Sequence, residues 1–248
     1  SDVYKRQVLG SLAREGAKLA VVVGEDDSPT RNRLRDEIVQ AYPGSKFYGY
    51  EALCGEARRR VQNEVFGEGS QTVVDFSKAE RILSLDCDFL GVDPVGSASD
   101  FSRKRQGGGE TYHQDVAADA MNRLYMVESV FSLTGGMADH RLRAKPSQMA
   151  AIAAQVAIGL GITVDGYDAG CLSDEEKAEL LGTAATFDSW IVECVADLKA
   201  HKGSAVVLAG SRHEEDLQRI VIAINKEIGS YGGPMVVYET GRTGYGTI

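Results

Sequence analysis

The chain has 248 residues, 43% of them hydrophobic and 25% charged, which suits a packed globular protein of one large domain or two small ones. No apolar run reaches membrane-spanning length, and no secretory pattern opens the sequence. The net charge of −9, from 27 Lys+Arg against 36 Asp+Glu, argues against a phosphate-backbone partner, which needs a basic face.

The opening SDVYKRQ resembles a translated sequencing-adaptor peptide. Residues 1–7 are therefore expected to be a non-native extension, with 8–248 a piece of a longer domain and a possible subdivision near 145–200. Val8 to Glu15 reads as helical, with Gly16 in the stop position. KLAVVVG (18–24) reads as a buried parallel strand. The helix after it takes Ser28 as N-cap and Pro29 at its first position, with Leu34 and Ile38 one turn apart. KFYGYE (46–51) is a second strand. In the next helix Ala57, Val61 and Val65 fall on one face.

RILSLD (81–86) and RLYMVE (123–128) are a third and a fourth strand. Between them, SRKRQGGGETYHQD is polar and Gly-rich and reads as a loop, its basic run Ser102–Gln106 as a solvated face. SQMAAIAAQVAIGLG is an apolar helix. SDEEKAELLG carries a capping box, Ser173 with Glu176. TFDSWIVECVADLKAH is a helix with Trp190 and Val195 on its buried side. SAVVLAG (204–210) is a fifth strand. Ser211 is expected to cap the helix that follows, whose stripe is Leu217, Ile220, Val221, Ile224 and Ile228. MVVYE (235–239) is a sixth strand. Strands alternating with helices imply an α/β layered fold with a largely parallel sheet and flanking helices.

Ligands in such sheets bind beyond the carboxyl ends of the strands, so the strand ends hold the candidate chemistry. GEDDSPT lacks the glycine fingerprint for a dinucleotide and puts Glu25, Asp26 and Asp27 where phosphate oxygens would lie; it reads as a solvated turn. Asp86 and Asp88 flank Cys87 at a strand end and suit either loop capping or Mg²⁺, with capping favoured because no third ligand is near. Cys54, Cys87, Cys171 and Cys194 form no C-x-x-C pair, so no iron–sulfur or structural zinc framework is encoded here. Thr134, Gly135 and Gly136 suit backbone N–H groups aimed at an anion, or equally a tight turn. His140, Arg141 and Arg143 follow with no recognisable Ser/His/Asp spacing.

Two stretches carry a resemblance. VVDFSKAERILSLDCDFLG (73–91) and MNRLYMVESVFSLTGGMADHRLR (121–143) resemble segments of the molybdopterin oxidoreductase superfamily. The wording NRLYxVES with SLTGxMADHRL is closest to the large iron–sulfur subunit of alternative complex III, a quinol:electron acceptor oxidoreductase. The resemblance covers most of Lys18 to Glu239. It implies an exported subunit, carried by a twin-arginine signal to the outer, periplasmic face of the cytoplasmic membrane. It also implies integral membrane quinol-binding subunits and cytochrome c subunits as partners. Iron–sulfur clusters would belong to a downstream part, with none in this chain.

Where relatives that bind the cofactor carry Asp-Pro-Arg, this chain has Glu128-Ser129-Val130; where they carry Pro-Gly-Thr-Asp it has AKPSQ (144–148), and Asp86 stands where Gly is usual. The implied function is a scaffold without a catalytic centre of its own. The alternative is a fragment that still binds molybdopterin guanine dinucleotide through Glu128, Ser129, Thr134, Gly135 and His140. A third reading is an unrelated α/β ligand-binding module. A chain cut from a larger domain is also expected to expose unpaired sheet edges.

Overall fold

The computed structural model describes residues 2–14, 19–24, 28–50, 55–105, 121–168, 170–239 and 246–247. Glu25–Asp27, Cys54, Gly16 and most of the Gly-rich loop after Arg105 lie outside them. The fold is α/β and layered, with a four-stranded parallel sheet and flanking helices. The chain divides into two compact units, Ser1–Cys54 with Glu239–Ile248, and Gly55–Tyr238, so residues 145–200 fall inside the second.

The first unit holds α1 (Asp2–Arg14), β1 (Ala20–Val23), α2 (Pro29–Ala41) and β2 (Lys46–Gly49). Residues 2–7, expected to be an extension, lie within α1. β1 and β2 pair in parallel, Ala20 with Lys46 through Val23 with Gly49. Pro29 stands at the start of α2, where its fixed φ suits the first turn and its missing N–H leaves nothing unpaired. Ser28 precedes the helix without a side-chain cap bond.

The second unit contains α3 (Glu56–Phe66), β3 (Ser70–Val74), β4 (Arg81–Leu85), α4 (Ala98–Arg103) and β5 (Arg123–Glu128). After it come α5 (Leu133–Gly136), β6 (His140–Arg143), a 3₁₀ turn at Pro146–Gln148 and α6 (Met149–Gly159). The last elements are α7 (Asp174–Leu181), α8 (Ala184–Ala200), β7 (Ala205–Ala209), α9 (Glu215–Glu227) and β8 (Met235–Glu239). β9 (Gly246–Thr247) belongs to the first unit, where it pairs in parallel with β2.

The main sheet has the order β6-β5-β4-β7, and each pairing is parallel. β4 and β7 are buried along their whole length and read as continuous apolar runs, as strands covered on both faces must. Alternate side chains feed two cores. Leu83, Leu85, Tyr125, Val127, Val207 and Ala209 pack under α6, α8 and α9. Ile82, Leu124, Val206 and Leu208 face the opposite way, onto Phe76, Phe89 and Phe101. The three phenylalanines pack ring against ring at 4.6–6.0 Å. α9 lays its expected stripe, Leu217, Ile220, Val221, Ile224 and Ile228, into the first core. The Ser173–Glu176 capping box forms as expected, each side chain meeting the other residue's backbone N–H.

His140–Arg143 is an edge strand and Ser70–Val74 a further strand, neither of which the hydrophobic pattern flagged. Ser211 does not cap α9: Glu214 takes that place without a side-chain cap bond, and the Ser211 N–H donates to Asp93 Oδ2 at 2.7 Å. Of the basic run, Ser102 and Arg103 are exposed as expected, whereas Arg105 turns inward, forming a two-point pair with Asp139 and lying over the Phe101 ring; Gln106 lies outside the described residues.

The outer edge of β7 is covered rather than exposed. Asn225 presents its amide to Val207 like a strand partner, Oδ1 accepting from the N–H at 2.8 Å and Nδ2 donating to the C=O at 2.7 Å. Ser230 Oγ donates to the Ala205 carbonyl, and Arg58 Nη2 to that of Ala209. Asn225 and Ser230 are fully buried, so these bonds satisfy the backbone of β7 where no strand among the described residues pairs with it.

Candidate functional site

Parallel pairing brings the carboxyl ends of β4, β5 and β7 together, and each end carries polar groups. After Leu85 come Asp86, Cys87 and Asp88. β5 ends on Glu128 and runs into Ser129. β7 ends on Ala209 and continues through Gly210 to His213.

Glu128 is buried, 1% exposed, and both its oxygens are engaged. Arg141 Nε donates to Oε1, while the Ser132 N–H and hydroxyl donate to Oε2. Arg141 also lies over the Phe131 ring at 4.8 Å. Ser132 Oγ accepts from the Gly135 N–H at 2.9 Å and so caps the single turn of α5. Gly135 is required here by space: a Cβ would stand 1.9 Å from Glu128 Oε1.

Asp88 Oδ1 accepts from the Thr134 N–H at 3.0 Å and its hydroxyl at 2.8 Å, and Oδ2 from the Val92 N–H at 3.3 Å. Thr134 Oγ1 in turn accepts from the Leu90 N–H at 3.0 Å. Thr134 is fully buried, with its donor and acceptor capacity both used. Asp86 Oδ1 accepts from the Ser129 N–H, and Oδ2 lies 3.0 Å from His213 Nε2. Burial alone would raise the Asp86 carboxyl, but hydrogen bonds from His213 and Ser129 outweigh it and hold it below the usual range. Between Asp86 and Asp88, Cys87 points into the core, where burial pushes its thiol well up.

Of the residues singled out in the sequence, Glu128, Ser129, Thr134 and Gly135 meet at these strand ends. Asp86 and Asp88 meet them there, as loop caps. His140 does not. It opens β6 opposite Tyr125, three residues back from Glu128, which is about 10 Å along the strand. Its ring stacks on Tyr125 at 4.6 Å, and Tyr125 donates to Asp197, which also pairs with Arg81 and Arg123. His213, Arg58 and Asp93 carry no local signal: Arg58 pairs with Asp93 across 35 positions, and His213 with Asp86 across 127.

Chemically, the strand ends present anions whose donors are already taken. The N–H groups of Ser129, Ser132, Thr134 and Gly135 all end on side-chain oxygens of the chain itself. Among the described residues no group of three or more His, Cys, Asp or Glu is placed to hold a metal ion. No helix among them is long and apolar enough to cross a membrane. The chain matches no family model and no curated protein at a significant level.

Proposed function

We propose that this chain is the scaffold portion of a molybdopterin-oxidoreductase-like subunit. In this reading it belongs to the iron–sulfur subunit of a membrane-associated quinol:electron acceptor oxidoreductase of the alternative complex III kind. Its ancestral cofactor loop has turned structural. The assignment rests on the resemblance of residues 73–91 and 121–143.

The observation that carries the scaffold role is the saturation of the strand ends. A dinucleotide pyrophosphate needs free N–H donors or cationic side chains. Here the candidate donors serve Asp86, Asp88 and Glu128, Arg141 is paired, and Val130 stands exposed where the resemblance expects Arg. These residues do not fit the dinucleotide. In this reading, electrons pass through clusters elsewhere in the subunit to cytochrome c partners, the quinol sites lie in integral membrane subunits, and the assembly faces the periplasm.

The test is to express the full-length gene with its neighbouring subunits and purify the complex. Quinol-dependent reduction of cytochrome c, with iron present and no molybdenum or pterin oxidation product, is expected. Stoichiometric molybdenum and pterin would overturn the scaffold role. A purified product without iron or quinol activity would overturn the assignment to electron transfer.

A further inference from the structure

Three hydrogen-bond donors from two distant segments converge on one carboxylate at the end of β4. The Ser129 N–H lies 3.1 Å and its hydroxyl 3.4 Å from Asp86 Oδ1. His213 Nε2 lies 3.0 Å from Oδ2, and an ionised carboxylate only accepts, so that nitrogen carries the hydrogen. Asp86 is also the one non-glycine among the described residues with a positive φ, 55°, a conformation that a Cβ disfavours. The wall behind it is tight: a Cβ on Gly210 would stand 2.3 Å from the Asp86 carbonyl oxygen and 3.2 Å from His213 Cδ2.

The backbone therefore accepts an unfavourable turn, and that turn sets a carboxylate among donors supplied by the end of β5 and by the loop after β7. We propose that this is an oxyanion site with a tethered occupant. Ser129 and His213 form a site for a carboxylate-sized anion, and Asp86 fills it from within the chain. The same donors would take a free small oxyanion once the tether is removed. The inference rests on the local geometry and not on the family reading, so either can fail without the other.

The test uses the full 248-residue chain carrying Asp86→Gly, since glycine accepts the φ of 55° without strain. Sodium formate is titrated against sodium chloride at constant ionic strength, and the thermal midpoint is read. At a tenfold excess of formate over its Kd, the midpoint of Asp86→Gly should rise by about 3–6 °C above the chloride control. The native chain and Asp86→Asn, which keep the site filled, should respond to formate and chloride alike. Adding His213→Leu, which has no donor, to Asp86→Gly should remove most of the rise. If Asp86→Gly does not fold in chloride, its refolding yield becomes the readout, and recovery in formate alone is expected. Equal behaviour of Asp86→Gly in the two salts, by midpoint or by yield, overturns the proposal. So does a formate response of the same size in Asp86→Asn, which would place the anion elsewhere.

Discussion

Gly135→Ala sets helix propensity against packing, and the two predict opposite signs. In a helix interior, alanine is favoured over glycine by roughly 0.5–1 kcal/mol, so α5 should gain. The new Cβ, however, would stand 1.9 Å from Glu128 Oε1, 2.4 Å from its carboxyl carbon and 2.5 Å from Oε2. Relief requires either that the carboxylate leave Arg141 and Ser132 or that α5 lift away from Asp88 and break both Thr134 bonds. Disrupting a buried pair typically costs about 3–5 kcal/mol. Arg141 is 29% exposed and keeps some water, which puts the net loss near the lower end, about 3 kcal/mol. Urea titration should show a lower midpoint with an unchanged m-value. The decisive control is Glu128→Ala. In that background the clash partner is gone, and Gly135→Ala should cost less than about 1 kcal/mol, a coupling within the range seen for touching residues. A loss under about 1 kcal/mol in the native background, or equal losses in both backgrounds, would refute the reasoning.

Asn225→Leu should cost about 2–4 kcal/mol, because it strands the Val207 N–H and C=O on the edge of β7, and it should promote self-association through that edge; denaturant titration and size-exclusion chromatography check both effects, and a monomer of native stability would contradict them. Asp197 would have its carboxyl raised by burial, but bonds from Arg81, Tyr125 and Arg123 prevail and hold it below the ordinary value. Its folded pKa is therefore depressed, so the stabilisation is full above the unfolded value near pH 4 and is lost as pH falls through the folded one. The thermal midpoint should drop on acidification below about pH 4, and Asp197→Asn should be less stable at pH 7 with a shallower acid limb. Among the described thiols, Cys171 is partly exposed, whereas Cys87 and Cys194 are buried with their thiols pushed well up. Iodoacetamide at pH 8, followed by peptide mass mapping, should mark Cys171 well before the other two.

The sequence was legible where pattern and burial coincide. RILSL, RLYMVE and AVVLA are apolar because both faces of the sheet are covered, and α9 shows its stripe because one side is wet. β6 was not legible. It is an edge strand in which Leu142 alone is buried, so HRLR looks like loop. Ser211 failed for a different reason. The Asp93 carboxylate, 118 positions away, claims its N–H, and α9 begins only at Glu215, after the turn that delivers His213 to Asp86. A long-range contact outcompeted a local cap, and no window of sequence contains both partners. The strand-end residues were legible as a group because they follow strands. The covered edge of β7 was not, since Asn225, Ser230 and Arg58 reach it from separate elements.

Whether the strand ends can hold a phosphate is a competition between a free anion and resident carboxylates. A charge-assisted hydrogen bond contributes about 1.5–3 kcal/mol to either. The residents hold two advantages. They are already tethered, so their effective concentration is set by the chain at millimolar or above, and they pay no association entropy. An arriving phosphate would also sit beside whichever carboxylates it failed to displace. At 4 Å and an effective dielectric near 20, each such contact opposes binding by about 4 kcal/mol. Displacing Asp86 alone leaves Asp88 in place, with the Thr134 N–H and hydroxyl both turned to it. Displacing Glu128 strands Arg141 and opens a buried cavity beside Gly135. A ligand would have to evict several anchored anions together to gain donors that already serve them. That cost makes Asp86, Asp88 and Glu128 clamps between strand ends.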